Sequence, residues 1–281
     1  MLLRGADLKI DHVTVAGKDL KAMQATLASL GIPSEYGGPH SNHATEMALT
    51  SFPDGSYLEL IAIQPHADSA AVAAHYWSKP MQNDGGPCAW AVRPQDLAAE
   101  VKRLQAAGVA VTSPARAGRA RPDGVRLDWE TANVGPGPNG RFFPFLIRDF
   151  TPREQRAAPA GKPSTQDFTG VARVVIAVRD LEASVRRYRE AYGLPAPVEQ
   201  NDSGFGARLA SFPGTPAVLA TPLNASSWLA ARLDTIGEGP CAFILGARNA
   251  KSYRVSSKTT WFGEAVSWLD TGKTGWWLGY E

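Results

Sequence analysis

The sequence predicts an α+β protein built from four β-α-β-β-β units arranged in two pairs. Three observations support this class. The stretch Leu8–Gln64 begins and ends with runs in which apolar and polar residues alternate, and a helical pattern lies between them. Residues 86–148 follow the same order of elements. The chain beyond residue 167 then repeats short segments of the first half at similar positions, which is the signature of an internal duplication.

The elements of the first unit follow from its hydrophobic periodicity. LKIDHVTVAG, at 8–17, alternates with a period of two and predicts a strand. An apolar stripe of helical spacing, closed by a glycine, predicts a helix over Asp19–Leu30. A polar, glycine-rich loop is expected at 34–43. Strands are expected at 45–52 and 57–63, on either side of a Pro-Asp-Gly turn.

A connecting helix over 67–77, stopped by Pro80, leads to the second unit. There PCAWAV at 87–92 predicts a strand, and an apolar stripe ending at a glycine predicts a helix over 94–108. Three further segments have the composition of strands. They are VAVTSP (109–114), VRLDWETANV (125–134) and RFFPFLI (141–147).

The linker and the repeat divide the chain. Residues 151–167 are rich in proline, alanine and charge, which predicts a linker. Beyond it RVVIAVRDL matches the earlier HVTVAGKDL, ASFPGT matches TSFPDG, and EGPCAFIL matches GGPCAWAV. The prediction is a first domain over 1–150, containing units 8–64 and 86–148, and a diverged second copy over 168–281.

The composition excludes several classes of protein. The formal net charge of +2 gives no reason to expect nucleic acid or an anionic membrane as a partner. No apolar run approaches the roughly 18 residues of a membrane span. The N-terminal MLLRGADLKID lacks the apolar core of a signal peptide, and two cysteines do not make a disulfide framework. We therefore expect a cytoplasmic protein.

The alternation also singles out a pair of polar residues. On the first strand His12 and Thr14 share one face, and on the last strand Tyr57 and Glu59 share one face. If the helix covers the aliphatic faces, His12 and Glu59 lie together on the opposite face. A carboxylate there must be paired, hydrogen-bonded or wet, so Glu59 is the first candidate for a functional residue.

These motifs resemble the vicinal oxygen chelate superfamily, which includes glyoxalase I, extradiol dioxygenases, epimerases and antibiotic-resistance proteins. DHVTVAGKDL, the GG-x-H loop, DGSYLELIAI, GVRLDWE and PFLIRDFTPREQR resemble its glyoxalase-like subgroup. The resemblance covers 1–156 closely and 168–281 more faintly. It implies that each pair of units closes into a bowl-shaped mixed sheet with helices outside.

The resemblance also implies a metal ligand from the first and the last strand of each unit. In the first unit these are His12 and Glu59, while alignment of the second unit places Ala89 and Pro144 at the same points. Neither can ligate through a side chain, so half of the expected set is missing. In the second copy the same offsets give Arg173 and Leu219, which predicts no site there.

Four other residues complete the candidate site. His40 and His43, in the glycine-flanked loop, are candidates for binding a substrate, and His43 also for a third metal ligand beside His12 and Glu59. Tyr57 shares the face of Glu59, and Trp129 could line an apolar pocket or belong to the core. A nearby group of arginines could hold an anionic substrate, although a solvated basic loop is the simpler interpretation. These are Arg116, Arg119, Arg121 and Arg126.

Two functions remain open. In the first, the N-terminal bowl is an enzyme that acts on a small oxygenated molecule, with Glu59 as catalytic base or ligand. A divalent metal ion would support lyase, isomerase or dioxygenase chemistry. In the second, the bowl binds a small molecule without a metal, as a sequestration or resistance protein does. The partner is a small-molecule ligand in both cases, and a homodimer is one of the assemblies the sequence allows.

Overall fold

The computed structural model describes residues 8–249, 253–272 and 276–281. Within these ranges the chain forms two curled mixed sheets of eight strands, one from each half, with the longer helices against their outer faces. The predicted α+β class and the duplicated arrangement are confirmed. Residues 1–7, which carry part of the argument against a signal peptide, lie outside the described ranges.

The first sheet has the strand order β2-β3-β4-β1-β5-β8-β7-β6. Its central strands β1 and β5 are antiparallel, and each has a parallel neighbour from the end of its own unit, β4 and β8 respectively. The elements are β1 (Ile10–Ala16), α1 (Leu20–Ser29), β2 (Glu35–Pro39), β3 (Thr45–Ser51), β4 (Tyr57–Ile63), α2 (Ser69–Ala74), α3 (Ser78–Gln82), β5 (Gly86–Val92), α4 (Leu97–Ala106), β6 (Ala115–Ala120), β7 (Arg126–Ala132) and β8 (Phe145–Asp149).

The second sheet repeats this order as β10-β11-β12-β9-β13-β16-β15-β14, after a short helix α5 (Arg153–Ala157) that precedes it in the chain. Its elements are β9 (Phe168–Ala177), α6 (Leu181–Tyr192), β10 (Val198–Asp202), β11 (Ala207–Ser211), β12 (Ala217–Pro222), α7 (Trp228–Thr235), β13 (Gly239–Ala247), β14 (Val255–Trp261), β15 (Glu264–Leu269) and β16 (Trp277–Tyr280).

Three aspartates mark equivalent points of the repeat. Asp19, Asp96 and Asp180 each precede a helix, and each carboxylate accepts a hydrogen bond from the backbone N–H three residues later, at 2.8–3.0 Å. This is the usual way in which aspartate caps a helix N-terminus. Because all three follow the first strand of their unit at a helix start, they fix the alignment of the units.

The outer faces of both sheets share one apolar core. Val13 and Leu58 of the first sheet belong to the same buried cluster as Val174 and Phe243 of the second. The alternation along β1 and β4 is therefore as predicted, with the aliphatic positions packed outward against helices and the other sheet. His12 and Glu59 are left on the concave inner face.

The inner face of the first sheet, here called the N-terminal bowl, is closed by its own edges. Strands β2 and β6 come together through a bridge between His40 and Arg119. The Ser41 N–H donates to the Gly118 carbonyl at 3.0 Å across the same seam. The curl brings together residues that are far apart in the chain.

The inner face of the second sheet is filled with side chains. Phe205 lies among Trp228, Trp261, Trp268 and Trp277, with ring centroids 5.0–5.2 Å from its own. Because these aromatic rings pack closely on the inner face, the second bowl is part of the hydrophobic core.

Several elements differ from their sequence predictions. Part of the expected loop at 34–43 forms β2, and the arginine-bearing segment forms β6. VAVTSP is not a strand, and only Val111 bridges, to Val134. Pro80 lies inside α3, in its first turn, where a backbone N–H would have no acceptor within the helix and proline is therefore tolerated. No helix in the described ranges is long and apolar enough to cross a lipid bilayer.

Residues 151–167 are fixed to the first sheet more firmly than their composition predicts. They contain α5, and Arg156 of this helix is buried. Ser164 hydrogen-bonds with Ser51 at 2.9 Å and donates to the Glu35 carboxylate at 2.8 Å. As far as Ser164 the segment is attached to the first sheet, whereas the Asp167 carbonyl accepts from the Arg248 N–H of the second half at 2.9 Å.

Candidate functional site

His12 and Glu59 meet in the N-terminal bowl. Their strands β1 and β4 are parallel neighbours, with Thr14 opposite Glu59. The His12 Nε2 atom lies 3.7 Å from Glu59 Oε2, and the Thr14 hydroxyl donates to the same oxygen at 2.9 Å. Only 3% of His12 and 5% of Glu59 is exposed. The two residues are as close as their shared strand parity predicts.

Asp11 fixes the ring of His12. His12 Nδ1 lies 2.6 Å from Asp11 Oδ1, and this fully buried carboxylate is also paired with Arg153 and Arg156 of α5. Burial alone would raise the pKa of Asp11, but Arg156, the hydrogen bond from His12 and Arg153 hold it well below its usual range. An ionised carboxylate only accepts, so His12 donates from Nδ1.

This tautomer has a consequence at the other ring nitrogen. In neutral His12 the proton on Nδ1 leaves Nε2 as an acceptor, and Nε2 faces an oxygen of the Glu59 carboxylate. Two acceptors 3.7 Å apart gain nothing from each other. The position between them therefore suits a donor group brought by a ligand.

His40 approaches Glu59 from the other side. Its Nε2 atom lies 3.8 Å from Glu59 Oε1, and its Nδ1 atom lies 2.8 Å from the Thr45 hydroxyl. That hydroxyl also accepts from the Asn42 amide at 3.1 Å, and its own hydrogen can go to His40 Nδ1 at 2.8 Å or to the Asn42 amide oxygen at 3.4 Å. We assign it to the shorter contact, which places the proton of neutral His40 on Nε2, directed into the bowl. Burial, and then Arg119, lower the pKa of His40 to about 3, so the ring is neutral at physiological pH.

His43 is not part of this cluster. It lies on the turn before β3 with a φ of 57°, and its side chain is exposed to solvent. The structure thus brings one of the two loop histidines to the site and leaves the other outside.

Aromatic side chains form much of the cavity wall. The cavity has a volume of about 200 Å³ and is lined by Glu59, both site histidines and largely apolar groups. Tyr57 stacks on His12 with centroids 4.8 Å apart, and Phe145 meets the same ring edge-on at 5.4 Å. Trp129 meets His40 edge-on at 6.1 Å. Tyr57 and Trp129 therefore line the cavity, which is smaller than the pockets typical of drug-sized ligands.

The arginines of β6 and its flanks occupy different environments. Arg119 is buried and lines the cavity. Arg116 is exposed and lies over the Phe150 ring, while Arg126 pairs with Asp128 at the surface. The basic-loop interpretation is wrong for Arg119, because the segment is a strand whose Arg119 side chain turns inward.

Comparison with known families decides the relationship. The family described as a glyoxalase-like domain matches residues 10–192, which is well over half of the chain. The chain belongs to the glyoxalase-like domain family. A comparison with curated proteins gave no match.

Solved structures share the fold of this glyoxalase-like protein. A hypothetical protein from Staphylococcus aureus superposes with a TM-score of 0.67 at 15% identity, covering 97% of this chain and 98% of that one. Methylmalonyl-CoA epimerase from Mycobacterium tuberculosis gives a TM-score of 0.36 at 22% identity, over 41% of this chain and 89% of that one. A variant of the Streptomyces coelicolor epimerase in complex with 2-nitronate-propionyl-CoA gives 0.34 at 22%, over 40% and 96%. The first of these extends the shared fold over both sheets.

The vicinal oxygen chelate resemblance implies a divalent metal, and the donor types in the bowl suit one. The spacing is too wide, because ligand atoms bound side by side to one metal lie about 3.0 Å apart in octahedral and about 3.4 Å apart in tetrahedral geometry, given bonds of ~2.1 Å. Here the imidazole nitrogens lie 3.7 and 3.8 Å from the carboxylate oxygens. Among the described residues, no group of three or more His, Cys, Asp or Glu side chains is arranged to hold a metal ion. The side chains as placed therefore do not fit a preformed metal site.

The second unit has apolar residues at the positions of His12 and Glu59. Alignment on the capping aspartates makes Ala91 the counterpart of Thr14. Ala91 lies opposite Phe145, just as Thr14 lies opposite Glu59. Phe145, and not Pro144, is therefore the counterpart of Glu59. Phe145, like Pro144, cannot bind a metal through its side chain, so the prediction that this position provides no ligand is unchanged.

The second copy shows the same one-residue difference. Val175 lies opposite Val218, so Val218 and not Leu219 is the counterpart of Glu59 there. Arg173 keeps the position of His12 and pairs with Glu281 at 2.8 Å. These residues form no counterpart of the His12–Glu59 pair.

Proposed function

We propose that the N-terminal bowl is an enzyme site that transfers a proton on a small oxygenated molecule, with Glu59 as the base. The observation that carries this is the convergence of His12 Nε2, His40 Nε2 and the Glu59 carboxylate in one enclosed cavity. Each of the two rings has its other nitrogen held by a fixed partner. Such preorganisation suits acid–base catalysis better than a purely apolar pocket would.

The three groups divide the reaction between them. The Glu59 carboxylate removes a proton from a substrate carbon next to a carbonyl, and the electron pair of that C–H bond moves onto the substrate oxygen. The Nε2–H of neutral His40 donates a hydrogen bond to this oxygen as its charge increases. Return of the proton to a neighbouring atom completes an isomerisation, and loss of a leaving group completes an elimination.

His12 extends the capacity of Glu59. Once protonated, the Glu59 carboxyl can donate to His12 Nε2, which is otherwise an acceptor facing an acceptor. Asp11 stabilises the resulting imidazolium through Nδ1, as the aspartate of a catalytic triad does. The pair thus holds one proton between two sites, and this exchange needs no metal ligand.

One observation favours the second candidate, binding without chemistry. Half of the ligand positions implied by the resemblance hold Ala89 and Phe145; Phe145 extends the apolar wall of the cavity, and Ala89 is buried in the apolar cluster that contains this ring. A bowl of this kind can hold an apolar molecule by burial alone.

Solvent exchange separates the two candidates. Purified protein is incubated in D₂O with small ketones, 2-oxo acids and 1,2-dicarbonyl compounds, and loss of the acidic C–H signals is followed by proton NMR. We expect enzyme-dependent exchange with at least one class, and a loss of about 10²-fold or more in Glu59→Gln. Glu46→Gln is the matched control, because Glu46 lies on the adjacent strand and accepts from Tyr36 at the outer edge.

Two outcomes contradict the proposal. Exchange that survives Glu59→Gln would remove Glu59 from the chemistry. Tight binding without exchange, equal in both proteins, would establish the binding function instead. Elemental analysis of protein purified without chelators runs in parallel. Stoichiometric transition metal that is lost in Glu59→Gln would show that the side chains move together around a metal.

A further inference from the structure

Arg119 stands out among the cavity residues as a buried cation. It lies on β6, is 2% exposed, and lines the cavity that contains His40 and Glu59. Its Nη1 donates to the Gly37 carbonyl and its Nη2 to the Arg156 carbonyl at 3.2 Å. A guanidinium carries five N–H groups, so these two bonds leave three without an acceptor.

The other arginines beside Asp11 have carboxylate partners. Arg153 and Arg156 both contact Asp11, and Arg156 also contacts Asp149. In the part of the chain that the structure describes, no carboxylate lies within ion-pair distance of Arg119, and Glu59 acts on it only across the cavity. A buried charge without a direct ion-pair partner is costly unless something neutralises it.

We propose that Arg119 binds a compact anionic group of the substrate, a carboxylate, and thereby selects small oxygenated acids over neutral molecules. The inference rests on the proposed function, since it places the substrate in the same cavity. Guanidinium is suited to the task because its planar donors match the two oxygens of a carboxylate.

The position of Arg119 also orients the bound acid. His40 and Arg119 are bridge partners at the seam of β2 and β6, and His40 Nε2 lies 3.8 Å from Glu59. A carboxylate held at Arg119 therefore places the rest of the molecule past His40 toward Glu59. The oxygen function next to the carboxylate reaches the His40 donor, and the acidic C–H reaches the base. The predicted substrate class is a small 2-oxo acid, because only a carbonyl oxygen at that position can take the electron pair of the C–H bond.

A purely structural role for Arg119 makes different predictions. Its two hydrogen bonds join β2 to the end of α5, so it could serve only to close the bowl. In that case replacing it would lower stability and weaken all ligands alike. A substrate anchor instead changes the ratio between charged and neutral ligands of the same shape.

The test uses matched pairs of ligands. Binding of pyruvate and benzoylformate, and of their neutral amides, is measured by ligand-observed NMR titration against wild type, Arg119→Gln and Arg116→Gln. Arg116 is the control because it is an exposed arginine on the same strand. We expect wild type and Arg116→Gln to prefer each acid over its amide by at least ~10-fold, a difference of about 1.4 kcal/mol. Arg119→Gln should lose that preference.

Three results would overturn the inference. They are no preference for the acids in wild type, the same preference in a folded Arg119→Gln protein, and no binding of either acid at 10 mM. If Arg119→Gln does not fold, Arg119→Lys replaces it and should keep a reduced preference, because lysine retains the charge without the planar fork; an unreduced preference contradicts the inference.

The same titrations in Glu59→Gln keep this inference separate from the proposed reaction. A preserved acid preference with exchange lost in Glu59→Gln is the result expected if both proposals hold, whereas an acid preference in wild type without any solvent exchange would refute the chemistry and leave the anion site standing.

Discussion

His40 should make the protein sensitive to acid well above the pH at which its carboxylates titrate. The ring is largely buried beside Arg119, and its pKa in the folded protein is about 3, against about 6.5 in an unfolded chain. Replacing it by asparagine removes this titration and keeps a polar side chain at the seam of the bowl.

The direction follows from proton counting. Between pH 3 and 6.5 the unfolded chain binds a proton at His40 that the folded protein excludes, so the free energy of unfolding falls as the pH is lowered through this range. From pH 7 to pH 5 the expected loss is about 2 kcal/mol for a fully excluded proton. The side chain keeps 14% exposure, so water in the cavity reduces this figure somewhat.

Urea unfolding at pH 7 and pH 5 measures the effect. The quantity of interest is the change between the two pH values within each protein, so that any baseline effect of the substitution cancels. His43→Asn is the control, because His43 is exposed and its φ of 57° suits asparagine. His75, whose pKa is also lowered by burial, is present in all three proteins and repels a charged His40.

We expect His40→Asn to lose about 2 kcal/mol less on acidification than wild type, and His43→Asn to behave as wild type does. An equal loss in wild type and His40→Asn would show that His40 takes up its proton in the folded state. The neutral Nε2–H donor assigned to it would then be wrong.

Three further substitutions test the surrounding structure. Glu59→Gln should leave the melting temperature unchanged or slightly higher while it removes activity, since it takes a charge out of a buried position; a clearly lower melting temperature with activity intact would indicate a structural role. Asp11→Asn should destabilise the protein by about 3–5 kcal/mol in urea unfolding at pH 7, because Arg153 and Arg156 each lose one of two carboxylate partners. Asp123→Asn at the surface should cost under ~1 kcal/mol. Gly140→Ala should lower the melting temperature more than Gly137→Ala does. Both glycines have positive φ, but only at Gly140 would an added Cβ meet Ala89 and backbone, at 2.8–2.9 Å. Equal decreases in melting temperature would contradict this.

The parts of the fold that sequence reveals are those set by short-range periodicity. Alternation along β1 and β4 places His12 and Glu59 on one face whatever the rest of the chain does, and the structure brings them within 3.7 Å. The capping aspartates and the repeated segments likewise indicate the duplication. These signals are local, and each is read within a single element.

Other features of the site depend on contacts between distant segments. Asp11 is paired with Arg153 and Arg156, which lie more than 140 residues away in the chain. The alternation of β1 does not predict these partners. Arg119 lies in a strand of alanine, glycine and arginine whose composition favours a loop, and pairing with β7 overrides that preference. The one-residue shift from Pro144 to Phe145 arises in a turn whose length the repeat does not preserve.

The anchoring of α5 bears on how the protein can be divided. A fragment cut at the compositional boundary after residue 150 would keep all eight strands of the first sheet yet discard both arginines that neutralise Asp11. Its histidine would then rest on a carboxylate that has lost both counterions. Fragments, domain swaps or fusions that are meant to retain a working bowl must therefore extend beyond Ala157. The segment that contains α5 should therefore be kept with the first half when second halves are exchanged between relatives.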